Sequence, residues 1–155
     1  MIRRLHKSDI EKVAKLWLSS TKQAHPFIAT NYWDENLSKV EDLLASKAQT
    51  YLYVDKHQIK GFISLLENGY IGALFVKPIY QSQKIGTKLL RYVLRNKTSA
   101  SLKVYTQNEP AINFYRYHGF KIIQEGQDLS TQAHELIMAW SKGSRKGLSR
   151  QKGDS

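Results

Sequence analysis

Apolar residues recur along the chain with two periods, and the changes between them outline the elements. Ile2 to Leu5 reads as a short first strand. Ser8-Asp9-Ile10-Glu11 fits a capping box, with Ser8 as N-cap and Glu11 reaching back. Ile10, Val13, Ala14, Trp17 and Leu18 then recur at helical spacing, which fades near Thr21. Pro26 disfavours helix at His25, so Ala24 to Ile28 is a connector. Asp34 is placed to cap a second helix carrying Leu37, Val40, Leu43 and Leu44. Three strands follow: Thr50 to Val54, Ile59 to Leu66 and Tyr70 to Val76. Asp55-Lys56-His57 turns the chain after the first, and Glu67-Asn68-Gly69 carries the Asn-Gly hairpin signal after the second. A helix enters at Ile85-Gly86 and runs through Leu89, Leu90, Val93 and Leu94. Leu102 to Tyr105 is a strand. A helix capped by Asn108, with Pro110 in its first turn, closes at His118-Gly119. Lys121 to Gln124 and Glu135 to Trp140 are the last strands. This order, with its antiparallel meander, predicts an α/β (α+β) fold with a mixed sheet and does not suit a doubly wound dinucleotide fold.

Composition narrows the class. A chain of 155 residues, 41% hydrophobic and 24% charged, suits one globular domain. It has no cysteine, which excludes disulfides, cysteine nucleophiles and cysteine-based zinc sites. The first residues lack a signal-peptide core and no apolar run is long enough to span a bilayer, so a cytoplasmic protein with no membrane partner is expected. The formal net charge is +11. Ser141 to Ser155 holds five of the basic residues and one acidic residue, which leaves the body at +7. The expected organisation is therefore a domain over 1–140 and a basic, disordered, solubilising tail over 141–155. A basic body suits nucleic acid, an acidic protein or an anionic cofactor, and charge alone does not choose.

The stretch from Val76 to Leu90 does choose. An apolar strand ends before Pro78, a polar turn follows, and a helix begins at Ile85. Backbone N–H groups at such a helix start, reinforced by the helix dipole, hold anions. Gln81, Ser82, Gln83 and Lys84 add donors and a positive charge. The segment reads as a phosphate cradle.

Val76-x-Pro78-x-x-Gln81-x-x-Lys84-x-Gly86-x-x-Leu89-Leu90 resembles the acyl-CoA pyrophosphate loop of the GNAT superfamily of N-acetyltransferases. Asn108-x-x-Ala111-x-x-Phe114-Tyr115-x-x-x-Gly119-Phe120 resembles the family's second CoA-facing helix. One expected strand separates the two, in the family's order. Trp17, His25-Pro26-Phe27-Ile28 and Asn31-Tyr32-Trp33 further resemble the bacterial YiaC-type branch, whose members acetylate protein lysines.

The resemblance implies a six- to seven-stranded, mostly antiparallel sheet flanked by about four helices. It implies acetyl-CoA as cosubstrate, no metal, and an amine that attacks directly in a ternary complex. Leu74, Phe75 and Val76 would line the pantetheine arm, and Gln81, Ser82, Gln83, Lys84, Ile85, Gly86 and Thr87 the pyrophosphate. Asn108 and Ala111 would face the arm, and Tyr115 would be the acid at the departing thiolate. Glu67 is the first candidate base and His25 the second. His25, Phe27, Tyr32, Trp33 and Tyr70 are candidates for an acceptor groove, whereas Trp17 belongs to the core.

Two positions depart from the family pattern. Lys84 stands where the loop's first glycine is usual: in ordinary helical backbone, the expected case, a lysine there is tolerated and neutralises phosphate, whereas a position that needs glycine's freedom or close approach would weaken CoA binding. Lys103 stands where some relatives carry a glutamate base. A protein or peptide lysine is the expected acceptor, with a small-molecule amine as the alternative. Other readings are a non-catalytic CoA-binding domain and a nucleic-acid-binding protein, the latter disfavoured because no recognised nucleic-acid motif is present.

Overall fold

The computed structural model describes residues 1–143, in two compact units, Met1–Arg95 and the part that begins at Asn96. The basic tail expected over 141–155 lies, from position 144 onward, outside the described residues.

The first unit holds strands β1 (Ile2–Arg4), β2 (Gln49–Asp55), β3 (Gln58–Leu66) and β4 (Tyr70–Val76). Its helices are α1 (Ile10–Ala24), α2 (Thr30–Glu35), α3 (Leu37–Ser46) and α4 (Ile85–Leu94). The strands lie in the order β1-β2-β3-β4, each pair antiparallel. Val13, Leu52, Phe62, Ile63, Leu89 and Leu90 are essentially inaccessible and form its core.

Local chemistry corrects several expected boundaries. Ser8 does not cap α1. A 3₁₀ turn, Lys7–Asp9, precedes the helix, and Asp9 accepts from the His6 N–H at 2.7 Å and from Arg3 Nη1 at 2.9 Å. α1 also outlasts Thr21, because Ser20 and Thr21 are buried and continue the packed face to Ala24. Asp34 caps nothing. It lies inside α2 and pairs with Lys22 Nζ at 2.8 Å, so the expected single second helix divides at Asn36. Tyr32 and Trp33 are therefore helical rather than part of a connector. Trp17 is buried edge-on to Trp33, with ring centroids 6.0 Å apart, and takes the core role expected of it.

The β2–β3 hairpin turns on Lys56 and His57, both left-handed (φ 52° and 65°), as a two-residue turn with a right-handed strand twist requires. The β3–β4 link uses the Asn-Gly pair as expected, with Asn68 at φ 60° and Gly69 at φ 73°. The β3–β4 register then slips, since Ser64 faces Ala73 and Leu65 faces Ile71. Gly72 is left as the extra residue of a bulge.

The second unit contains β5 (Ser99–Tyr105), α5 (Glu109–Tyr117), β6 (Lys121–Gln127) and β7 (His134–Ser141). β7 pairs antiparallel with both β5 and β6. Leu102, Ile112, Phe120, Leu136, Met138 and Trp140 supply buried apolar side chains. Gly119 adopts φ 95°, which lets the chain leave α5 sharply into Phe120. The Tyr105 hydroxyl donates to Asp128 Oδ2 at 2.6 Å and ties the β6–β7 loop to the end of β5. Across both units the strands number seven, and the described α-helices number five rather than four because of the division at Asn36. No described helix is long and apolar enough to cross a membrane.

Candidate cofactor and acceptor site

The candidate phosphate cradle begins where β4 stops. Lys77 N–H donates to the Lys60 carbonyl at 2.9 Å, and Gln81 Nε2 donates to the Val76 carbonyl at 3.3 Å. Gln81 thus ties the loop to the strand end. Pro78–Gln83 forms a 3₁₀ turn, with Pro78 at its start, where a missing N–H costs nothing. Tyr80 pins this turn: its hydroxyl donates to Gln58 Oε1 at 3.1 Å, and Lys60 Nζ sits 4.4 Å from its ring centroid.

Lys84 then takes φ 62°, ψ 25° and α4 begins. The position is therefore the left-handed one that favours glycine, not the ordinary helical backbone expected for Lys84. The left-handed residue separates the 3₁₀ turn from α4, so the leading N–H groups of α4, those of Ile85 and Gly86 among them, lie at a helix start where no intrahelical carbonyl accepts them. Ser82, Gln83 and Lys84 are exposed around that start, and Gly86 and Thr87 are partly exposed. The Ile85 side chain is buried at 1% exposure and anchors the helix, so only its backbone faces the cradle. Lys77 and Lys88 bring two more cations to the same few residues, and Lys88 Nζ lies 5.6 Å from the Tyr53 ring centroid. Exposed donors, a helix dipole and three lysines without a carboxylate among Val76 to Leu90 fit a pyrophosphate.

Leu74, Phe75 and Val76 are each partly exposed on β4. A Cβ on Gly61 would come within 2.8 Å of the Phe75 carbonyl, so glycine is what lets β3 and β4 approach here. Glu67 is exposed on the β3–β4 link, and Tyr70 is partly buried at the start of β4.

The acceptor candidates separate by burial. His25 is buried, its Nδ1 lies 2.7 Å from the Thr21 carbonyl, and its ring centroid lies 5.2 Å from Trp33 and 5.7 Å from Phe27. Burial lowers its pKa against the opposing pull of the Thr21 carbonyl, which keeps the imidazole neutral at pH 7. Trp33 is buried as well, whereas Tyr32, packed 4.9 Å from it, and Phe27 remain partly exposed.

In the second unit Asn108 Oδ1 accepts from the Ala111 N–H at 3.4 Å, so Asn108 does cap α5. Two turns on, Tyr115 is buried between Phe114 and Phe120, with centroids at 5.2 and 5.4 Å. Burial pushes its phenol well above the ordinary value of about 10, so it keeps its proton. Lys103 is exposed on β5, 4.0 Å from Glu135. Among the described residues no three His, Asp or Glu side chains are grouped to hold a metal.

Comparison with known proteins decides the family. The profile described as "Acetyltransferase (GNAT) domain" matches residues 6–132. The chain belongs to the GNAT acetyltransferase family. The GNAT chain is 36% identical over 140 residues to the peptidyl-lysine N-acetyltransferase YiaC of Escherichia coli, covering 90% of this chain and 96% of that one. It is 31% identical to the peptidyl-lysine N-acetyltransferase YjaB of Salmonella typhimurium, over 78% of this chain and 83% of the relative. Among solved structures, the solution structure of apo YjaB from Escherichia coli superposes with a TM-score of 0.78 at 28% identity, covering 90% and 96% of the two chains. The fold also matches a Thermoplasma acidophilum PaiA N-acetyltransferase in complex with coenzyme A, with a TM-score of 0.77 at 23% identity over 92% and 98%. The expected fold class, a mostly antiparallel sheet with flanking helices, is thus the observed one. As a GNAT enzyme the chain uses acetyl-CoA as acyl donor.

Two contributors were not picked out from the residues alone. Gly72 creates the β4 bulge, and a glycine inside an apolar strand is the signal for it. The Tyr80–Lys60 clamp joins residues twenty positions apart, which no local pattern reports.

Proposed function

We propose that this GNAT enzyme acetylates lysine side chains of proteins or peptides, through direct attack of the amine on acetyl-CoA held by the domain 1–140. The observation that carries the acceptor is the 36% identity, over nearly the whole chain, to a relative named for peptidyl-lysine acetylation. The pyrophosphate rests on the Gln81–Lys88 segment, where Lys84 and the N–H groups of Ile85 and Gly86 meet its charge. The pantetheine arm follows Leu74 to Val76, with Asn108 and Ala111 facing it.

Glu67 takes the proton that the ammonium must lose, directly or through one water, since a free lysine titrates near ~10.4. Tyr115 meets the departing sulfur. Its raised pKa means that it keeps its own proton and hydrogen-bonds the thiolate without protonating it, because a thiol near ~8.5 is the stronger acid. Phe27, Tyr32 and Tyr70 line the acceptor side, with His25 packed on Phe27 and Trp33 on Tyr32.

The test is an acceptor panel. The protein is incubated with acetyl-CoA and either Nα-blocked lysine peptides or small amines, and CoA thiol release is followed with mass spectrometry of the products. Acetylated peptide lysine is the expected product. Transfer confined to the small amines would overturn the acceptor assignment while leaving the family reaction intact.

A further inference from the structure

Four cations and three tyrosines share one surface of the first unit. On β2, Tyr51 and Tyr53 are two apart and point to the same side of the sheet. Arg4 of β1 is the register partner of Tyr51, and its guanidinium carbon lies 5.7 Å from that ring centroid. On α4, Lys88, Arg91, Tyr92 and Arg95 are spaced i, i+3, i+4 and i+7, which makes one helical stripe. The two sets meet. The Tyr51 and Tyr92 centroids are 5.1 Å apart, Arg95 sits 4.8 Å from Tyr92, and Lys88 sits 5.6 Å from Tyr53.

The result is a continuous Arg4–Tyr51–Tyr92–Arg95 ladder with Lys88 and Arg91 beside it. Arg4, Lys88, Arg91 and Arg95 are exposed, and among the described residues none of them forms an ion pair. β1 and α4 contain no acidic residue, and the one acidic residue of β2, Asp55, is held by Lys60 at 3.1 Å. Uncompensated charge of one sign asks for an anionic partner. Guanidinium groups set over tyrosine rings offer phosphate-matching forks beside aromatic stacking surfaces. That pairing of planar groups with cations suits unstacked bases on a phosphate backbone better than flexible carboxylates.

We propose that this ladder binds single-stranded nucleic acid, on a surface that shares only Lys88 with the proposed pyrophosphate segment. The test is fluorescence anisotropy of the full chain with labelled ribo- and deoxyribo-oligomers of about 12 nucleotides, at several salt concentrations. Four neutralised phosphates predict a log–log salt slope at least as steep as about −2.8, a loss of about 50-fold between 50 and 200 mM. The double variant Arg4→Gln/Arg95→Gln is expected to bring the slope about 1.4 closer to zero. Tyr92→Leu is expected to weaken binding by about 5-fold or more with the slope unchanged. Acetyl transfer serves as the folding control, since the substituted residues Arg4, Tyr92 and Arg95 lie outside the proposed site. Preference for RNA or for DNA identifies the source. An unchanged slope in the double variant overturns the proposal. So does an oligoglutamate of equal length binding as tightly as the oligomers, which would make the ladder a face for acidic proteins.

Discussion

Replacing Lys84 with glycine is expected to stabilise the fold and weaken cofactor binding at the same time. Lys84 is held at φ 62°, where an L-residue pays about 1–2 kcal/mol in contact between Cβ and the backbone. Glycine removes that cost but returns about 0.4–1 kcal/mol through the greater freedom of the unfolded chain. The net gain is about 0.5–1 kcal/mol, a rise in Tm of about 1–4 °C for a domain of this size. Lys84→Ala separates charge from backbone. It keeps the left-handed geometry, loses the ammonium, and should leave Tm within about 2 °C of the parent. Both variants lose the same exposed cation at the cradle, so both should bind CoA about 2- to 5-fold more weakly at low salt, and the difference should shrink as salt is raised. Differential scanning fluorimetry measures the first effect and calorimetric titration with CoA the second. If Lys84→Gly melts at or below the parent temperature, the left-handed backbone is not a cost. If CoA affinity is unchanged in both, the ammonium does not serve the phosphate.

Three further outcomes follow from other parts of the molecule. Asp9→Ala removes the acceptor of the Arg3 guanidinium and the His6 N–H, and should lower stability by about 2–3 kcal/mol in urea unfolding. His25 has its pKa depressed by burial, so the unfolded chain binds its proton more readily; its share of stability is full above ~6.5 and is lost as pH falls through the lower folded value. His25→Gln should therefore flatten the fall in Tm between about pH 7 and pH 5. Glu67→Gln should lower kcat/KM for the peptide while leaving acetyl-CoA affinity unchanged, and a loss confined to acetyl-CoA affinity would remove Glu67 from the base role.

How far the sequence was readable depends on the range of the interactions that set each element. β4 and α4 came out at their expected positions because a continuous apolar run and a strong helical stripe each carry their own evidence. The α5 cap was readable for the same reason, since Asn108 and Ala111 lie within one turn. The α1 entry was misread because Asp9 has Arg3 on β1 as its strongest partner, and that pairing outranks the local Ser8 signal. Tyr32 and Trp33 became helical because Trp33 packs against Trp17 and His25, and burial overrode a weak local pattern. At the candidate site, the proposed cradle and Tyr115 are singled out by spacing alone. The left-handed backbone of Lys84 and the Gly72 bulge are not, since both are set by how the chain must turn between packed elements. The charge count was plain from composition, yet only the fold gathers four cations without ion pairs beside three tyrosines on one face.

The central claim is acetyl transfer to an amine through a site in which Tyr115 meets the leaving sulfur, and the Tyr115→Phe enzyme tests it most directly. Steady-state CoA release with a blocked lysine peptide should show kcat reduced about 100-fold or more, with the KM for acetyl-CoA little changed and Tm preserved. A variant that turns over as fast as the parent would contradict the account.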